Sequence, residues 1–261
     1  KLPGNRLRLL HTNENRGAVT IDEERDYHFR YVLEDNFGNR RTYQFIVKGK
    51  RQDIPEYKPE ANEMLYWNRT NVIQKPGMEL VVPRYYVYED VPLRTDMRGD
   101  SSHIAFDYIL DAGRTPIHSY CALSIGLRHM PVADTTKYYI VQKAGKWRSS
   151  MGGKYANGWI KTRVRSLGTF SVDVDTIAPQ ITPIGQGGWR TSRNIRFRIK
   201  DMESGIGSYK VYIDGKFVLF GLKKGILVIQ DPEKVKKGVP HKLEVTVTDQ
   251  CGNMARKEYK F

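Results

Sequence analysis

Cysteine is scarce in this sequence, with two residues in 261, Cys121 and Cys251. Two cysteines are too few for the disulfide framework of a small secreted domain, and these two fall in different predicted domains. We therefore expect two independent thiols, which leave the redox compartment of the protein open.

Long apolar runs are missing as well. No stretch of about 18 apolar residues occurs, so we expect no transmembrane segment in this chain. The chain opens with KLPGNRLRLL, without a starting methionine or the apolar core of a signal peptide. We therefore expect it to begin inside a longer protein.

Patterns for catalysis are also absent. His103 and Asp107 have a His-x-x-x-Asp spacing that can ligate zinc, but no His-x-His follows, and the alternating apolar residues between them predict a strand. On a strand these side chains would stand roughly 13 Å apart, whereas zinc ligands lie about 2 Å from the metal. No Gly-x-Ser-x-Gly elbow occurs, and GQGGW at 185–189 lacks the lysine and helix of a phosphate loop. We predict no catalytic residue, no metal ligand and no cofactor within this chain.

A repeated turn is the clearest positive signal. VLEDNFGNRRTYQF at 32–45 and VTVTDQCGNMARKEYKF at 245–261 carry an aspartate, a glycine-asparagine pair and an aromatic residue at equal offsets. These residues are Asp35, Gly38, Asn39 and Phe45 in the first copy, and Asp249, Gly252, Asn253 and Tyr259 in the second.

Alternating apolar residues flank both copies, which predicts two β-hairpins. Gly-Asn supplies the positive φ angles of a tight turn, and the aspartate can accept backbone N–H groups within it. A calcium site at Asp35 or Asp249 is the poorer interpretation, because calcium takes six or more oxygens and each turn offers few carboxylates.

Short alternating runs continue through the rest of the chain, and helical periodicity is nearly absent. The fold class that we predict is all-β, as tandem β-sandwich domains of which the first is incomplete and the last immunoglobulin-like. The predicted divisions are a partial immunoglobulin-like domain at 1–50, a linker at 51–63, a β-rich middle domain at 64–174 and a sandwich at 175–261. Predicted strands of the middle domain include YYVY from 85 and IAFDYIL from 104, and Gly205 and Gly215 are predicted turn formers in the last domain.

Net charge is +14, from 43 Lys and Arg against 29 Asp and Glu. Such an excess favours polyanionic partners such as anionic envelope polymers. The basic residues alternate with apolar ones, as on the solvated face of a sheet, and no nucleic-acid-binding motif accompanies them. We therefore expect no nucleic acid partner.

One aromatic group has two interpretations. Trp147, Tyr155 and Trp159 lie near several glycines, and such a group could stack on a sugar. Packing beneath a loop is the favoured interpretation, because aromatic residues serve most often as core.

The order of motifs in the last two blocks resembles a known family. LSIGL, KYYIVQ and GKWRSSMGGKYANGWIKTRVRS precede DTIAPQITPI, IRFRIKDMESGIGSYKVYIDGKFVLF and HKLEVTVTDQCGN. Together they resemble the immunoglobulin-like C-terminal regions of Bacteroidota cell-envelope proteins, notably large lysostaphin-type zinc metallopeptidases. The resemblance implies an exported protein of the periplasm or cell surface. The peptidase domain itself is missing from this chain, so no active-site residue carries over.

Two hypotheses for function follow. The favoured one is a non-catalytic accessory region that binds peptidoglycan or another anionic envelope polymer and positions the protein's own N-terminal catalytic domain. The full-length protein would then be a zinc metallopeptidase. The alternative is a stand-alone surface adhesin or structural spacer that binds a glycan or a protein.

Overall fold

The computed structural model describes residues 11–15, 17–52, 60–111, 113 and 115–261. The regular secondary structure of these residues is almost entirely antiparallel β-sheet, which confirms the predicted all-β fold of tandem sandwiches. The chain divides into two compact units, Lys1–Pro59 and Glu60–Phe261. The opening segment 1–10 and most of the predicted linker, 53–59, lie outside the described residues.

The first unit contains one hairpin, of β1 (Asp26–Glu34) and β2 (Arg40–Lys48). Phe29 pairs with Phe45 and Tyr31 with Tyr43 across the strands, so one face is a stripe of aromatic rings. Tyr31 is 57% exposed. Among the described residues no further strand pairs with this hairpin.

The second unit begins with a sandwich of eleven strands. They are β3 (Glu63–Leu65), β4 (Asn71–Lys75), β5 (Met78–Val82), β6 (Val91–Arg98), β7 (Asp107–Asp111), β8 (Cys121–Gly126), β9 (Tyr138–Ala144), β10 (Trp147–Ser150), β11 (Lys154–Ala156), β12 (Trp159–Val164) and β13 (Gly168–Val174). One sheet has the order β10-β9-β13-β7-β6-β3 and the other β11-β12-β8-β5-β4. Inward residues alternate with outward ones, as in β8, where Cys121, Leu123 and Ile125 are buried. They belong to one core that fills the space between the two sheets.

Two predicted strands of this sandwich differ from the structure. The run predicted from position 85 is a turn, in which Tyr85 has φ 69° and donates its N–H to the carbonyl of Trp67 at 2.7 Å. A positive φ is incompatible with a strand, so aromatic content misled the prediction at this point. The run predicted from 104 begins its strand only at Asp107, as β7.

The last sandwich has eight strands and one short helix. They are β14 (Gln180–Ile184), α1 (Trp189–Ser192), β15 (Arg196–Lys200), β16 (Ile206–Ile213), β17 (Lys216–Phe217), β18 (Phe220–Lys223), β19 (Ile226–Ile229), β20 (Lys242–Asp249) and β21 (Met254–Lys260). The two sheets have the orders β14-β15-β19-β18 and β17-β16-β20-β21. Trp189 is fully buried between them and donates its indole N–H to the carbonyl of Ile184 at 2.9 Å. Because its N–H has a hydrogen-bond partner, the tryptophan stabilises the core without leaving a buried polar group unpaired.

The final hairpin, β20–β21, repeats the register of β1–β2. Leu243 pairs with Tyr259 as Phe29 pairs with Phe45, and the strands on both sides of each turn align residue for residue. In the last sandwich the equivalent of Tyr31 is Val245, which is 0% exposed because the opposite sheet covers it. The repeat detected in the sequence is therefore a repeat of structure, covered in one copy and open in the other.

Candidate functional site

The first repeated turn is closed by its aspartate. The Oδ1 atom of Asp35 accepts the N–H groups of Phe37 at 2.8 Å and Asn39 at 3.0 Å, and its Oδ2 accepts the side-chain amide of Asn39 at 2.8 Å. Gly38 has φ 81°, which glycine adopts without strain. These hydrogen bonds lower the pKa of Asp35, with the Asn39 side chain as the largest cause.

The second turn has the same hydrogen bonds in a different environment. Asp249 Oδ1 accepts from the N–H groups of Cys251 and Asn253, both at 2.8 Å, and its Oδ2 accepts from the Asn253 amide at 2.7 Å. Gly252 has φ 79°. Asp249 is buried, however, and burial raises its pKa despite these hydrogen bonds. The pKa of the turn aspartate is therefore lowered in the first copy of the turn and raised in the second.

The two remaining turn formers lie at the ends of β16. Gly205 has φ 86° and donates its N–H to Asp201 Oδ2 at 2.7 Å, just before the strand. Gly215 has φ 76° and follows Asp214 in the turn to β17. Both glycines occupy the left-handed region that side chains disfavour.

Three carboxylates meet beside the second turn. Oxygens of Asp175, Asp201 and Asp249 lie within 4.8 Å of one another, and in the described part of the chain this is the group that could hold a metal ion. The sequence argument against calcium at Asp249 rests on the few carboxylates within its own turn. Asp175 and Asp201 come from other segments, and nothing local in the sequence marks their approach.

Each carboxylate of this cluster is already hydrogen-bonded to the protein. Asp175 accepts from the N–H of Ile177 at 2.9 Å, and from the N–H and hydroxyl of Ser204 at 3.0 and 2.5 Å. Asp201 accepts from the N–H groups of Glu203 and Gly205. The negative charge of Asp175 adds to the effect of burial on the pKa of Asp249. The cluster therefore consists of two buried carboxylates and a half-buried one, Asp201, whose mutual repulsion is offset by surrounding donors.

The same cluster joins the two sandwiches of the second unit. Asn253 donates its side-chain amide to the carbonyl of Asp175 at 3.0 Å, and Lys137 donates its ammonium to the carbonyl of Cys251 at 3.0 Å. Tyr139 on β9 packs with Cys251 in a small buried apolar cluster.

The Tyr139 hydroxyl donates to Glu203 Oε2 at 3.2 Å. Burial is the largest cause of the raised pKa of Tyr139, which therefore remains a neutral hydrogen-bond donor. A small buried apolar contact and the hydrogen bonds around it thus connect the middle sandwich to the turns of the last one.

The three aromatic residues considered for sugar stacking do not share one surface. Trp147 is 82% exposed on β10 of the six-stranded sheet, whereas Tyr155 and Trp159 lie on β11 and β12 of the five-stranded sheet. Tyr155 faces the same side as its partner Ile160, which is buried, so Trp159 projects to the opposite face. The trio therefore does not form a single platform.

The thiols offer little nucleophilic character. Cys121 and Cys251 are both buried, and burial raises the pKa of each to about 11. A thiol of that pKa is protonated at neutral pH, and the thiolate is the reactive form. Both side chains serve the cores in which they lie.

The histidine and aspartate rejected as zinc ligands have other partners. His103 Nδ1 contacts Asp100 Oδ1 at 3.0 Å, and Asp107 Oδ1 accepts from Lys143 Nζ at 2.5 Å. Each therefore has a local structural role.

Comparison with known proteins bears on the middle sandwich. Residues 62–175 match the family model of the Zu5-like domain, a range that contains β3 to β13. No curated protein matches the chain.

One solved structure, of a Ca²⁺-stabilised adhesin that helps an Antarctic bacterium reach out and bind ice, aligns with 90% of this chain and 80% of its own. The identity is 11% and the TM-score 0.22, too low to relate the function of that adhesin to this chain.

None of the described helices is long and apolar enough to cross a membrane. None of the comparisons supports the resemblance to lysostaphin-type peptidases or a Bacteroidota origin, and both stay predictions. The chain is a β-rich protein whose middle sandwich is similar to the Zu5-like domain.

Proposed function

We propose that this chain is a non-catalytic binding and positioning region of an exported cell-envelope protein. The observation that carries the proposal is the junction in which Asp175, Asn253, Lys137 and Tyr139 connect the last two sandwiches. Hydrogen bonds that flank a buried contact, here that of Tyr139 with Cys251, hold two domains in one orientation, whereas flexible tandem domains meet over small polar surfaces. A fixed pair of sandwiches suits a protein part whose role is to hold another part in place.

The partner class follows from charge. A net charge of +14 attracts anionic polymers over a range set by the ionic strength, and the polymer that we propose is peptidoglycan or another anionic component of the envelope. The part to be positioned is a catalytic domain elsewhere in the protein, for which a zinc peptidase is the candidate that the sequence resemblance suggests.

Co-sedimentation with isolated cell-wall sacculi tests the binding half of this function. We expect the full chain to pellet with sacculi at about 20 mM salt and to pellet less at about 150 mM, because screening shortens the reach of surface charge. Failure to co-sediment at the lower salt concentration, together with retention on host glycans or proteins, would move the function to that of a surface adhesin.

The positioning half is tested by a distance measurement across the junction. Spin labels at Lys146→Cys, between β9 and β10, and Lys216→Cys, on β17, occupy exposed positions in the two sandwiches. The two native thiols are buried and will not label in the folded chain. We expect one narrow distance distribution, and a broad one would contradict a fixed arrangement.

A further inference from the structure

The outward face of the five-stranded sheet carries a compact basic group. On β12, Ile160 and Val164 point into the core while Lys161 and Arg163 are exposed. Lys154 on β11 lies directly opposite Lys161. Neighbouring side chains on one face of a strand are about 6.8 Å apart, so the three basic groups converge on one small area.

No carboxylate compensates this group in the described part of the chain. The acidic residue on the same row of the sheet is Glu79, which is separated from Lys161 by Ser124 and therefore lies about 10 Å away by strand spacing. Glu79 already accepts the side-chain amide of Gln74 at 3.1 Å. Like charges directly opposite each other destabilise a strand pair, so the pairing of Lys154 with Lys161 costs stability.

The same fold neutralises basic residues elsewhere. On β20 and β21, Arg256 pairs with Glu244 at 2.5 Å and Lys242 pairs with Glu258 at 3.2 Å. Among the described residues, the group on β11 and β12 lacks such partners and also places two lysines directly opposite each other, so an anion bound there would relieve the repulsion between them.

A shallow, open groove of about 460 Å³ lies at this group. Its lining consists of Tyr120, Gly153, Lys154, Lys161, Thr162 and Arg163. Tyr120 is 52% exposed, and the guanidinium of Arg163 lies 5.9 Å from the centre of its ring.

Glycine is required in the wall of the groove. Gly153 has φ 142°, and a Cβ at this position would lie 2.5 Å from Cγ2 of Ile160. Any other residue at this position would press its side chain against Ile160, which is fully buried in the core.

We propose that this groove is a binding site for an acidic glycan. Carboxylate or phosphate groups of the polymer pair with Lys154, Lys161 and Arg163, of which the arginine can hold a carboxylate through two parallel hydrogen bonds. The apolar face of a sugar ring packs on the exposed ring of Tyr120. The site gives a location and a ligand class to the envelope binding of the proposed function, on which it rests.

Nucleic acid fits this groove less well. Proteins that bind single strands stack successive bases on several aromatic side chains, whereas the lining of this groove includes one ring. A groove lined by one ring and three cations matches a charged sugar better than a run of bases.

A titration of the full chain with an oligouronate, a short chain of sugar carboxylates, tests the site. The groove variant is Lys154→Gln, Lys161→Gln and Arg163→Gln combined. The matched control removes the same charge from β15 as Arg196→Gln, Arg198→Gln and Lys200→Gln combined.

The control positions are exposed in the same alternating way but face Ile184, Thr182 and Gln180 across the strand pair. We expect the groove variant to weaken oligouronate binding roughly tenfold or more, since three surface charge pairs are lost, and the control variant to weaken it less than about twofold. Tyr120→Ala should weaken binding several-fold and Tyr120→Phe should restore it. A neutral oligosaccharide of equal length should not bind.

Several outcomes would overturn the site. They are equal weakening by both triple variants, absence of oligouronate binding by the unaltered chain, or tighter binding of single-stranded nucleic acid to the groove. In the first two cases sacculus binding can persist, so the proposed function would stand without this site. If the oligouronate binds at the groove and sacculi do not, the site stands and the envelope polymer is the wrong partner.

Discussion

Removal of the Asp175 side chain should weaken the last sandwich and loosen its junction with the middle one. Asp175 is fully buried, and its oxygens accept from three donors, the N–H of Ile177 and the N–H and hydroxyl of Ser204. Asp175→Ala leaves these donors without a partner. Each buried donor left unsatisfied costs about 1–3 kcal/mol, and Ser204 is itself fully buried, so water cannot replace the carboxylate there.

One contribution to the free energy of unfolding of Asp175→Ala acts in the opposite direction. The charge of Asp175 contributes to the raised pKa of Asp249, so removal of that charge relieves a repulsion inside the cluster. The net loss in the free energy of unfolding should therefore be about 3–5 kcal/mol, a large part of the stability of a typical domain.

The assay is urea unfolding of the full chain, combined with hydrogen exchange of the β16 and β20 amides. Asp134→Ala is the matched control, because Asp134 accepts from the N–H and hydroxyl of Thr136 in the same way but is exposed. The loss in the free energy of unfolding should be much smaller for Asp134→Ala, because water replaces the carboxylate as hydrogen-bond partner. Equal losses for the two variants, or unchanged protection of β16 and β20 in Asp175→Ala, would refute the reasoning. The spin-label distance between the two sandwiches should also broaden in Asp175→Ala alone.

Three further predictions concern the turns, the groove and the thiols. The raised pKa of Asp249 means that its carboxyl adds stability at low pH that is lost as pH rises through that pKa, and the lowered pKa of Asp35 acts with the opposite sign. We expect to see this in the pH dependence of the urea midpoint between about pH 3 and 7. Asp249→Asn should remove a contribution that falls as pH rises, and Asp35→Asn should remove one that grows as pH rises, so the two variants should change the slope of the midpoint against pH in opposite directions. Gly153→Ala should cost about 1–3 kcal/mol because its Cβ meets Ile160, whereas Gly145→Ala, at φ 59° with open space around it, should cost less in the same unfolding experiment. Both thiols should resist an alkylating reagent at about pH 8 in the folded chain and react after unfolding, and rapid modification of the native protein would contradict their burial.

Local patterns were enough to predict the hairpins. Positive-φ glycines and an aspartate that accepts backbone N–H groups act within five residues, so Asp35 and Asp249 revealed both turns in the sequence. The same local reasoning failed at Tyr85, where aromatic residues favoured a strand but a contact with Trp67 accompanies a turn.

The candidate sites depend on approach between distant segments, which the sequence does not encode locally. Asp175, which follows β13, and Asp201, which follows β15, reach Asp249 only because the folded chain brings these strand ends to the end of β20. Lys161 belongs to the basic residues whose alternation with apolar ones predicts a solvated strand face, but its neighbour across the strands, Lys154, depends on the register of β11. Nothing in the sequence marks Tyr120 as a site residue, because its exposure and its position beside the three basic residues depend on the folded sheet.

The open hairpin of the first unit has a consequence for the behaviour of the protein in solution. Its main-chain groups along the outer edges of β1 and β2 pair with no other strand of the described chain, and its aromatic stripe has the register of a core face. Backbone groups bind a strand with little regard to sequence, so such an edge is a template for any extended segment that reaches it. We expect association through this hairpin to be a mass-action equilibrium: the apparent size of the particle should rise with protein concentration, return on dilution, and leave the two sandwiches of the second unit unchanged.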